Sequence, residues 1–442
     1  MLLQLQSRKK WTVNGTSRIK PAQETLEKVI PLSKKIGVTR LADITDMDRL
    51  RIPNYSAVLP GTEDYIWVYS GKGPTKEHAM ASALMESIER YSSLPTGGPR
   101  KFVRSSYAEL LSKKHKVLHP DEIVEPVRFE YRNDMLMDWL SGYDIINNEE
   151  IMVPASIALF RYSPQPPAVN PFAYFHTNGL ASGNVMEEAV CHALCEVIER
   201  DAMSIAELRA SAIPFHILRT LVHSLNANKI PVPSIPGDRF VDDPTVFPEV
   251  DMSEVDFEPV RNLIDKFKHA GISLVIKDIT SDIGIPTFNA SSVEWVTHDY
   301  GYLAEGHGTH PDARIALLRA ITEVSQTRAA NIQGARDDLR KIKYGESNTD
   351  DRRAWQFMPS SRKVKFSQVH TFFNEDILDD IKLILSKLKK VGLDHVIIVN
   401  LINPDIGIPV VRAIVPGLET FKITKSVMGM RARACFKQWA NQ

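Results

Sequence analysis

The sequence predicts an α+β fold with mixed sheets and helices, built from degenerate repeated α-β-β and β-α modules. One observation is an acidic helical pattern that occurs three times, beginning at Ala79, Ala189 and Ala316. Each copy follows a β-like run that ends in a glycine-rich turn, as in DYIWVYSGKGPT, YFHTNGLASGN and YLAEGHGTHPD. A further observation is the repeated order of an amphipathic helix, a glycine stop and two β-like runs. Modules of these two kinds in one chain predict mixed sheets.

The α-β-β modules are marked by an Ile-Pro pair before the second strand, in RIPNYSAVLPG, GIPTFNAS and GIPVVRAIVPG, with a looser relative, MVPASIALF. We expect the proline to be the first residue of each strand, the position that a strand tolerates best. The faintest copy is at the N-terminus, where residues 1–61 are expected to form an α-β-β segment. Two stretches rich in proline or charge, about 231–258 and 336–364, are predicted to be surface connectors.

Bulk composition narrows the class of protein. The 442 residues include 54 basic and 54 acidic side chains, so the net charge gives no indication of nucleic acid or an anionic membrane as a partner. Three cysteines are too few for a disulfide framework, and we interpret them as reduced thiols. The first apolar run is too short for a signal peptide and no window resembles a membrane span. We therefore expect a cytoplasmic protein.

The acidic helices align on Glu86, Glu196 and Glu323, and the first two carry a second acid three residues later, at Glu89 and Glu199. The third has a carboxamide at that position. Residues at i and i+3 lie on one face of a helix, so each pair directs two oxygens toward a common point. A single acidic face is usually solvated, but three related copies favour convergence on one site, where five carboxylates would require cations. Magnesium is the natural candidate because it takes hard oxygen ligands and shares them with phosphates.

Basic residues accompany the acids. Arg90 and Arg200 directly follow the second acid, and Arg319 and Arg328 flank the third pair, so we expect guanidinium groups to face the same point. Carboxylates, metal, arginine and glycine turns together describe a polyphosphate site, although no Walker loop is present. Lys72 in the first glycine turn either contacts phosphate or is a solvated loop lysine.

The spaced set Ser82-x3-Glu86-x2-Glu89-Arg90, its second copy from Glu188 to Arg200 and its third from Arg319 to Arg328 resemble the signature of the YcaO superfamily. These are ATP-dependent enzymes that activate backbone amides of peptides. The resemblance implies a YcaO fold around a central ATP and Mg²⁺ site, with residues 62–442 as the ATP-binding catalytic domain. It implies that the metal-binding and catalytic acids are Glu86, Glu89, Glu196, Glu199 and Glu323, with Arg200 also catalytic. The nucleotide would be held by Lys20, Ser82, Asn184, Glu188, Arg200, Arg319 and Gln326, and by the basic residues Lys72, Arg90 and Arg328 beside the motifs.

Runs near the two ends of the sequence indicate which nucleophile would attack the peptide amide. Azoline-forming relatives typically end in a proline-rich tail, whereas this chain ends RARACFKQWANQ. The runs KKIGVTRLADITDMDRLRIPNYSAVLPG and IPVVRAIVPGLE look most like the archaeal branch called methanogenesis marker protein one, similar to YcaO proteins that work with a TfuA-like partner. That resemblance implies sulfide as the nucleophile, a thioamide on a glycine of the methyl-coenzyme M reductase α subunit, and a homodimer. Azoline or amidine formation and a non-catalytic nucleotide-binding scaffold stay as alternatives. His192, His307 and His310 could either assist proton transfer or act as structural donors.

Overall fold

A computed structural model describes residues 3–11, 17–61, 66–230, 243–297, 300–334 and 354–440. The helices are α1 Ala22–Lys35, α2 Lys76–Ser93, α3 Tyr107–Ser112, α4 Ala155–Ala158, α5 Met186–Glu207, α6 Ile213–Ala227, α7 Glu258–Ala270, α8 Ala313–Gln333, α9 Ala354–Phe357, α10 Ile377–Lys390, α11 Phe421–Thr424 and α12 Met430–Ala440. The strands are β1 Arg40–Asp43, β2 Asn54–Pro60, β3 Ile66–Lys72, β4 Val103–Ser106, β5 Leu136–Asp144, β6 Glu149–Pro154, β7 Leu180–Ser182, β8 Glu249–Asp251, β9 Ser273–Asp278, β10 Thr287–Thr297, β11 Tyr300–Thr309, β12 Lys363–Lys365, β13 Ile397–Asn400 and β14 Val410–Ile414.

The strands form three sheets. Their orders are β1-β2-β3, β11-β10-β9-β8-β12 and β4-β5-β13-β14-β7, with β6 paired to β5. Each sheet carries one of the predicted acidic helices: α2 packs on β2 and β3, α5 on β7 and β14, and α8 on β10 and β11. The predicted α+β fold with mixed sheets is therefore confirmed.

The three β-α units are arranged in a cycle. Helix α2 also contacts β7, α5 contacts β11, and α8 contacts β3, so each acidic helix lies between its own strand and the strand of the next unit. Side chains of the glycine turns reinforce this order, since Ser182 donates a hydrogen bond to the carbonyl of Met85 at 3.2 Å. The cycle turns the acidic faces of the three helices inward to one point.

Paired small residues explain how each strand lies so close to its helix. A Cβ atom at Gly71 would lie 2.1 Å from the carbonyl oxygen of Ala79, and one at Gly308 would lie 2.0 Å from that of Ala316. Side chains at either glycine would therefore push the helix away from the strand. The recurring alanines and glycines of the sequence are the two halves of this contact.

The predicted α-β-β modules are present as α1-β1-β2, α7-β9-β10 and α10-β13-β14, each with its two strands antiparallel. In all three Ile-Pro strands, the proline lies one residue before the strand instead of being its first residue, because β2 begins after Pro53 and β14 after Pro409. Pro286 likewise precedes β10. The prediction of a strand start at MVPASIALF was wrong, since Pro154 ends β6 and forms the N-terminal boundary of α4.

Two other predictions concern the division of the chain at 61/62 and the two surface connectors. Strands β2 and β3 pair from Asn54 opposite Lys72 to Pro60 opposite Ile66, across the division at 61/62, which stays a prediction. The stretches expected to be plain connectors contribute β8 and β12, which pair in parallel at the edge of the five-stranded sheet. Within these stretches, residues 231–242 and 336–353 lie outside the described residues.

Candidate functional site

The five predicted metal-binding acids come together where the three helices face one another. Glu89 and Glu199 are buried, with 7% and 9% of their surface exposed, and the other three are half-buried. The carboxylates are close enough to repel one another across the helices. Glu89 on α2 interacts with Glu196 on α5, and Glu199 on α5 interacts with Glu323 on α8. We call these five residues, Glu86, Glu89, Glu196, Glu199 and Glu323, the acidic cluster.

Two carboxyl groups of the acidic cluster, those of Glu89 and Glu199, hold their protons more tightly than ordinary carboxyl groups. Burial raises the pKa of Glu89 to about 8, with a further contribution from Glu196. Burial also raises the pKa of Glu199 to about 7, and the neighbouring Glu323 adds to the shift. Buried carboxylates with pKa values near neutrality are groups that gain when a divalent cation replaces their protons. The donor set therefore fits the predicted Mg²⁺ ions.

Three predicted cationic residues border the acidic cluster. The guanidinium of Arg90 lies 3.2 Å from carboxylate oxygens of both Glu86 and Glu89, and that of Arg200 lies 3.9 Å from Glu199. Lys72 forms an ion pair with Glu323, so its side chain borders the acidic cluster.

A fourth cation, Arg412 on β14, was missed by sequence reasoning. Its side chain is buried, and it interacts electrostatically with Glu196 and Glu89. Burial lowers the pKa of Arg412 to about 10. A single arginine in the otherwise apolar run IPVVRAIVPG was the available signal, because a buried charge needs a partner.

The residues expected to hold the nucleotide occupy the N-terminal half of α5 and its surroundings. Glu188 accepts hydrogen bonds from the amide of Asn184 at 2.8 Å and from its side-chain nitrogen at 3.0 Å. Glu188 also accepts from the amide of Ile19 at 2.7 Å, which brings the N-terminal segment to this end of the helix. Lys20, the next residue, is half-buried.

The remaining residues that were predicted to hold the nucleotide lie on α2 and α8. Ser82 is half-buried one turn before Glu86. Arg319 donates to the carbonyl of Thr309 at 3.0 Å, and the side-chain nitrogen of Gln326 donates to the carbonyl of Ser70. Arg319 therefore contacts the end of β11, and Gln326 contacts β3.

Arg328 is not brought to the acidic cluster, contrary to the prediction. Its guanidinium forms two hydrogen bonds with Asp48, at 2.7 and 2.9 Å, and one with Glu294 at 2.8 Å. Five residues after Glu323, it lies about 140° around the helix and points to the opposite face. Its buried ion pair with Asp48 fixes α8 to the N-terminal part of the chain.

Burial keeps the three candidate histidines neutral. The pKa of His307 is lowered to about 4, and those of His192 and His310 are lowered well below their ordinary value. His307 lies at the acidic cluster, where its Nε2 is 3.0 Å from the side-chain nitrogen of Asn289. His310 instead accepts from the amide of Asp312 at 3.0 Å, a structural contact.

A second group of charges that the motifs did not reveal borders the C-terminal end of α5. Lys422 on α11 lies 3.1 and 3.4 Å from the two carboxylate oxygens of Glu305. Lys425 lies 3.2 Å from Glu207, the last residue of α5. Glu305 also interacts with Arg200, so these charges continue the acidic cluster toward the C-terminal part of the chain.

Comparison with known proteins identifies a family. Residues 70–419 match the family described as YcaO cyclodehydratase, ATP- and Mg²⁺-binding. An uncharacterized protein of Methanothermobacter thermautotrophicus is 34% identical over 93% of this chain and 97% of its own length. An uncharacterized protein in the tfuA 3′ region of Rhizobium leguminosarum bv. trifolii is 28% identical over 94% of this chain and 91% of its own. The predicted cofactors, ATP and Mg²⁺, are confirmed by the family description.

Solved structures share the fold. A YcaO protein from Methanopyrus kandleri bound with AMPPCP and Mg²⁺ aligns with a TM-score of 0.66 at 22% identity, over 95% of this chain and 97% of that one. A heterocyclase in complex with substrate and cofactor aligns with a TM-score of 0.73 at 23% identity, over 95% of this chain and 55% of that one. This chain thus spans about half of that heterocyclase. Within the described residues, no helix is both long and apolar enough to cross a membrane.

Proposed function

The chain belongs to the YcaO family, and on this premise we propose that it uses ATP and Mg²⁺ to convert a peptide backbone amide into a thioamide. The observation that carries the proposal is the acidic cluster, in which five carboxylates from three helices lie beside arginine and lysine side chains. Such a site neutralises and positions a polyphosphate. The members of the family modify peptides, and the thioamide product is the finer part of the proposal.

In the proposed reaction, ATP converts the amide oxygen into a leaving group. Sulfide adds to the amide carbon, the former carbonyl oxygen takes the γ-phosphoryl group of ATP, and phosphate then leaves as the carbon–sulfur double bond forms. The products are the thioamide, ADP and phosphate, and the amide oxygen departs in the phosphate. Phosphoryl transfer of this kind depends on positioning and charge neutralisation more than on a protein nucleophile.

Different residues of this chain would bind the metal ions, the phosphates and the rest of the nucleotide. Glu86, Glu89, Glu196, Glu199 and Glu323 would hold Mg²⁺, which supplies the charge that neutralises the phosphates. Arg90, Arg200 and Lys72 form ion pairs with these acids. Their side chains would contact phosphate oxygens directly. The rest of the nucleotide would be held by the half-buried groups around the N-terminal half of α5, namely Lys20, Ser82, Asn184, Glu188, Arg319 and Gln326. Arg328 has no part in this assignment because Asp48 and Glu294 hold it elsewhere.

A relative of this chain supports sulfide as the nucleophile. The Rhizobium relative is encoded in a tfuA region, which supports a TfuA-like partner that delivers or supports the use of sulfide. We propose a glycine of the methyl-coenzyme M reductase α subunit as the substrate, and a homodimer as the working form.

Azoline formation is the second candidate, because the family description names a cyclodehydratase and a heterocyclase shares the fold. The two reactions differ in mass. Thioamidation makes the substrate heavier by the difference between sulfur and oxygen, whereas azoline closure makes it lighter by one water.

Intact-protein mass spectrometry of the α subunit, from cells with and without this chain, tests the proposal. We expect the heavier species only where the chain is present, and its loss in cells that carry a Glu196→Gln, Glu199→Gln double variant. A lighter species that depends on the chain would replace thioamidation with azoline closure. Identical masses in both cells would remove this substrate.

A further inference from the structure

A short two-stranded ribbon lies outside the three sheets. Residues 126–129 and 171–175 form it, and we call it the aromatic ribbon. The amide of Arg128 donates to the carbonyl of Pro171 at 2.7 Å, and the amide of Ala173 donates to that of Pro126 at 2.8 Å. Val127 faces Phe172 between these two hydrogen bonds as an antiparallel bridge.

This bonding pattern leaves one backbone edge unused. In an antiparallel pair flanked in this way, the amide and carbonyl of the central residue point away from the partner strand. Among the described residues, no hydrogen bond involves the amide or carbonyl of Val127. The outer edge of residues 126–129 therefore offers a donor and an acceptor to an additional strand.

The same ribbon exposes large apolar side chains. The exposed fractions are 53% for Val127, 38% for Phe129, 52% for Tyr174 and 37% for Phe175. Phe172, between them, is 1% exposed and anchors the ribbon in the core. An open backbone edge beside clustered apolar side chains is the arrangement by which proteins bind extended peptides.

The aromatic ribbon is attached directly to the wall of the acidic cluster. At its ends, the carboxylate of Glu125 lies 2.6 Å from Nε2 of His176. The guanidinium of Arg412 donates to the carbonyl of His176 at 3.0 Å. Since Arg412 also interacts with Glu196 and Glu89, one side chain joins the ribbon to the proposed metal ligands.

Helix α5 shows which side of the acidic cluster is left for a second substrate. Glu188, near its first turn, is bonded by residues 18–19 and Asn184, the proposed nucleotide end. Glu196 and Glu199 follow in the middle, and Glu207 ends the helix beside Lys425. Since the nucleotide would occupy the first half, a peptide must approach from elsewhere, and the ribbon borders the middle of the helix through Arg412.

We propose that the aromatic ribbon is the docking surface for the peptide substrate, which adds as an extended strand along the outer edge of residues 126–129. The inference rests on the proposed function, because that function requires a backbone amide to reach the acidic cluster. Val127 holds the peptide backbone, and Phe129, Tyr174 and Phe175 contact apolar side chains next to the reacting amide. Binding at this edge carries the neighbouring peptide residues past His176 toward Arg412.

Two substitutions at one position separate backbone from side-chain effects. Val127→Pro removes the outward amide without touching the inner hydrogen bonds, and Val127→Thr keeps the amide and the branched shape. With a synthetic peptide spanning the reactive glycine, the full-length protein, ATP, Mg²⁺ and sulfide, we expect Val127→Pro to raise the peptide KM about 5- to 10-fold, the effect of one lost hydrogen bond. Val127→Thr should stay within about twofold. Affinity for Mg²⁺ and ATP should be unchanged in both.

A photocrosslinking amino acid in place of Tyr174 gives a readout that does not need turnover. We expect a crosslink to the peptide that disappears with excess unlabelled peptide. If turnover occurs with an unchanged KM in Val127→Pro and without a crosslink, the docking surface is wrong while the proposed function stands. If the crosslink forms without turnover, the docking surface stands and the proposed reaction fails. A crosslink between two copies of this chain would identify the ribbon as a dimer interface and overturn the proposal.

Discussion

The ammonium group of Lys72 on β3 is paired with the carboxylate of Glu323 on α8, which joins the first and third β-α units across 251 residues of sequence. Burial alone would raise the pKa of Glu323, but Lys72, together with Arg200, outweighs it and lowers that pKa below its ordinary value. Lys72 thus neutralises the one cluster acid on α8. Glu89 on α2 and Glu199 on α5 have pKa values near neutrality. Among the described residues, no lysine lies within hydrogen-bond distance of either carboxylate.

Replacing Lys72 with Met should destabilise the metal-free protein by about 1–2 kcal/mol at pH 7, because a half-buried carboxylate loses its counter-charge. Urea unfolding in the presence of a chelator measures this difference. A lowered folded-state pKa contributes stability that is present above the unfolded value and lost as the pH falls. The cost of the substitution should therefore shrink toward pH 4, and an equal cost at pH 7 and pH 4 would contradict the assigned role of the ion pair.

The raised pKa values of Glu89 and Glu199 predict an unusual pH dependence. A carboxyl group that holds its proton more tightly in the folded state contributes stability at low pH, and this contribution is lost as the pH rises from its unfolded value toward its folded one. With folded values of about 8 and about 7, the metal-free protein should lose stability between about pH 4.5 and pH 8. Excess Mg²⁺ should flatten or reverse that slope, since the ion competes with the protons.

Chemical unfolding between pH 5 and pH 9, with a chelator or with excess Mg²⁺, measures this slope. Glu89→Gln is the matched control, because it removes one titrating group but keeps its shape. The slope in the chelator should be shallower in that variant. A metal-free protein whose stability is flat over this range would show that the two carboxyl groups are not buried as described.

The convergence of the acids could be predicted from sequence because it follows from local periodicity. The two acids of a pair are three residues apart, which places them on one helix face. The repeated alanines and glycines indicate the close contact between each strand and its helix. Arg328 was misplaced because proximity in sequence to Glu323 was taken for proximity in space, while the helix turns it to the opposite face. Arg412 and Lys422 come from segments far away in sequence, so no local pattern linked them to the acids. The parallel pairing of β8 with β12, which brings Glu249 opposite Lys363, was hidden for the same reason.

Arginine-to-lysine substitutions at two positions should separate binding from stability. Arg200→Lys should weaken ATP binding at least tenfold, because an ammonium cannot reproduce the planar fork that binds phosphate. Arg328→Lys should leave ATP affinity unchanged and cost about 2–3 kcal/mol of folding free energy, because buried Asp48 loses its paired hydrogen bonds. Calorimetric ATP titration and urea unfolding measure the two effects. Normal ATP affinity in Arg200→Lys would remove that residue from the nucleotide site.

Substituting Gln for both Glu196 and Glu199 should abolish ATP consumption and leave the protein folded. The amides match the acids in shape and relieve repulsion in the metal-free protein, so stability in a chelator should be equal or higher. Loss of Mg²⁺ binding by titration should accompany loss of activity. Parental ATP consumption in the double variant would refute the assignment of the acidic cluster as the metal site.

The most direct test of the account is ADP release by the purified protein, measured with peptide and sulfide added separately and together, and with a TfuA-like partner supplied. Sulfide-dependent thioamidation predicts ADP release only when both are present, in equal molar amounts to the heavier peptide product. Peptide-dependent ADP release that is unaffected by omission of sulfide would contradict thioamidation. ADP release that ignores the peptide altogether would contradict the proposed amide activation.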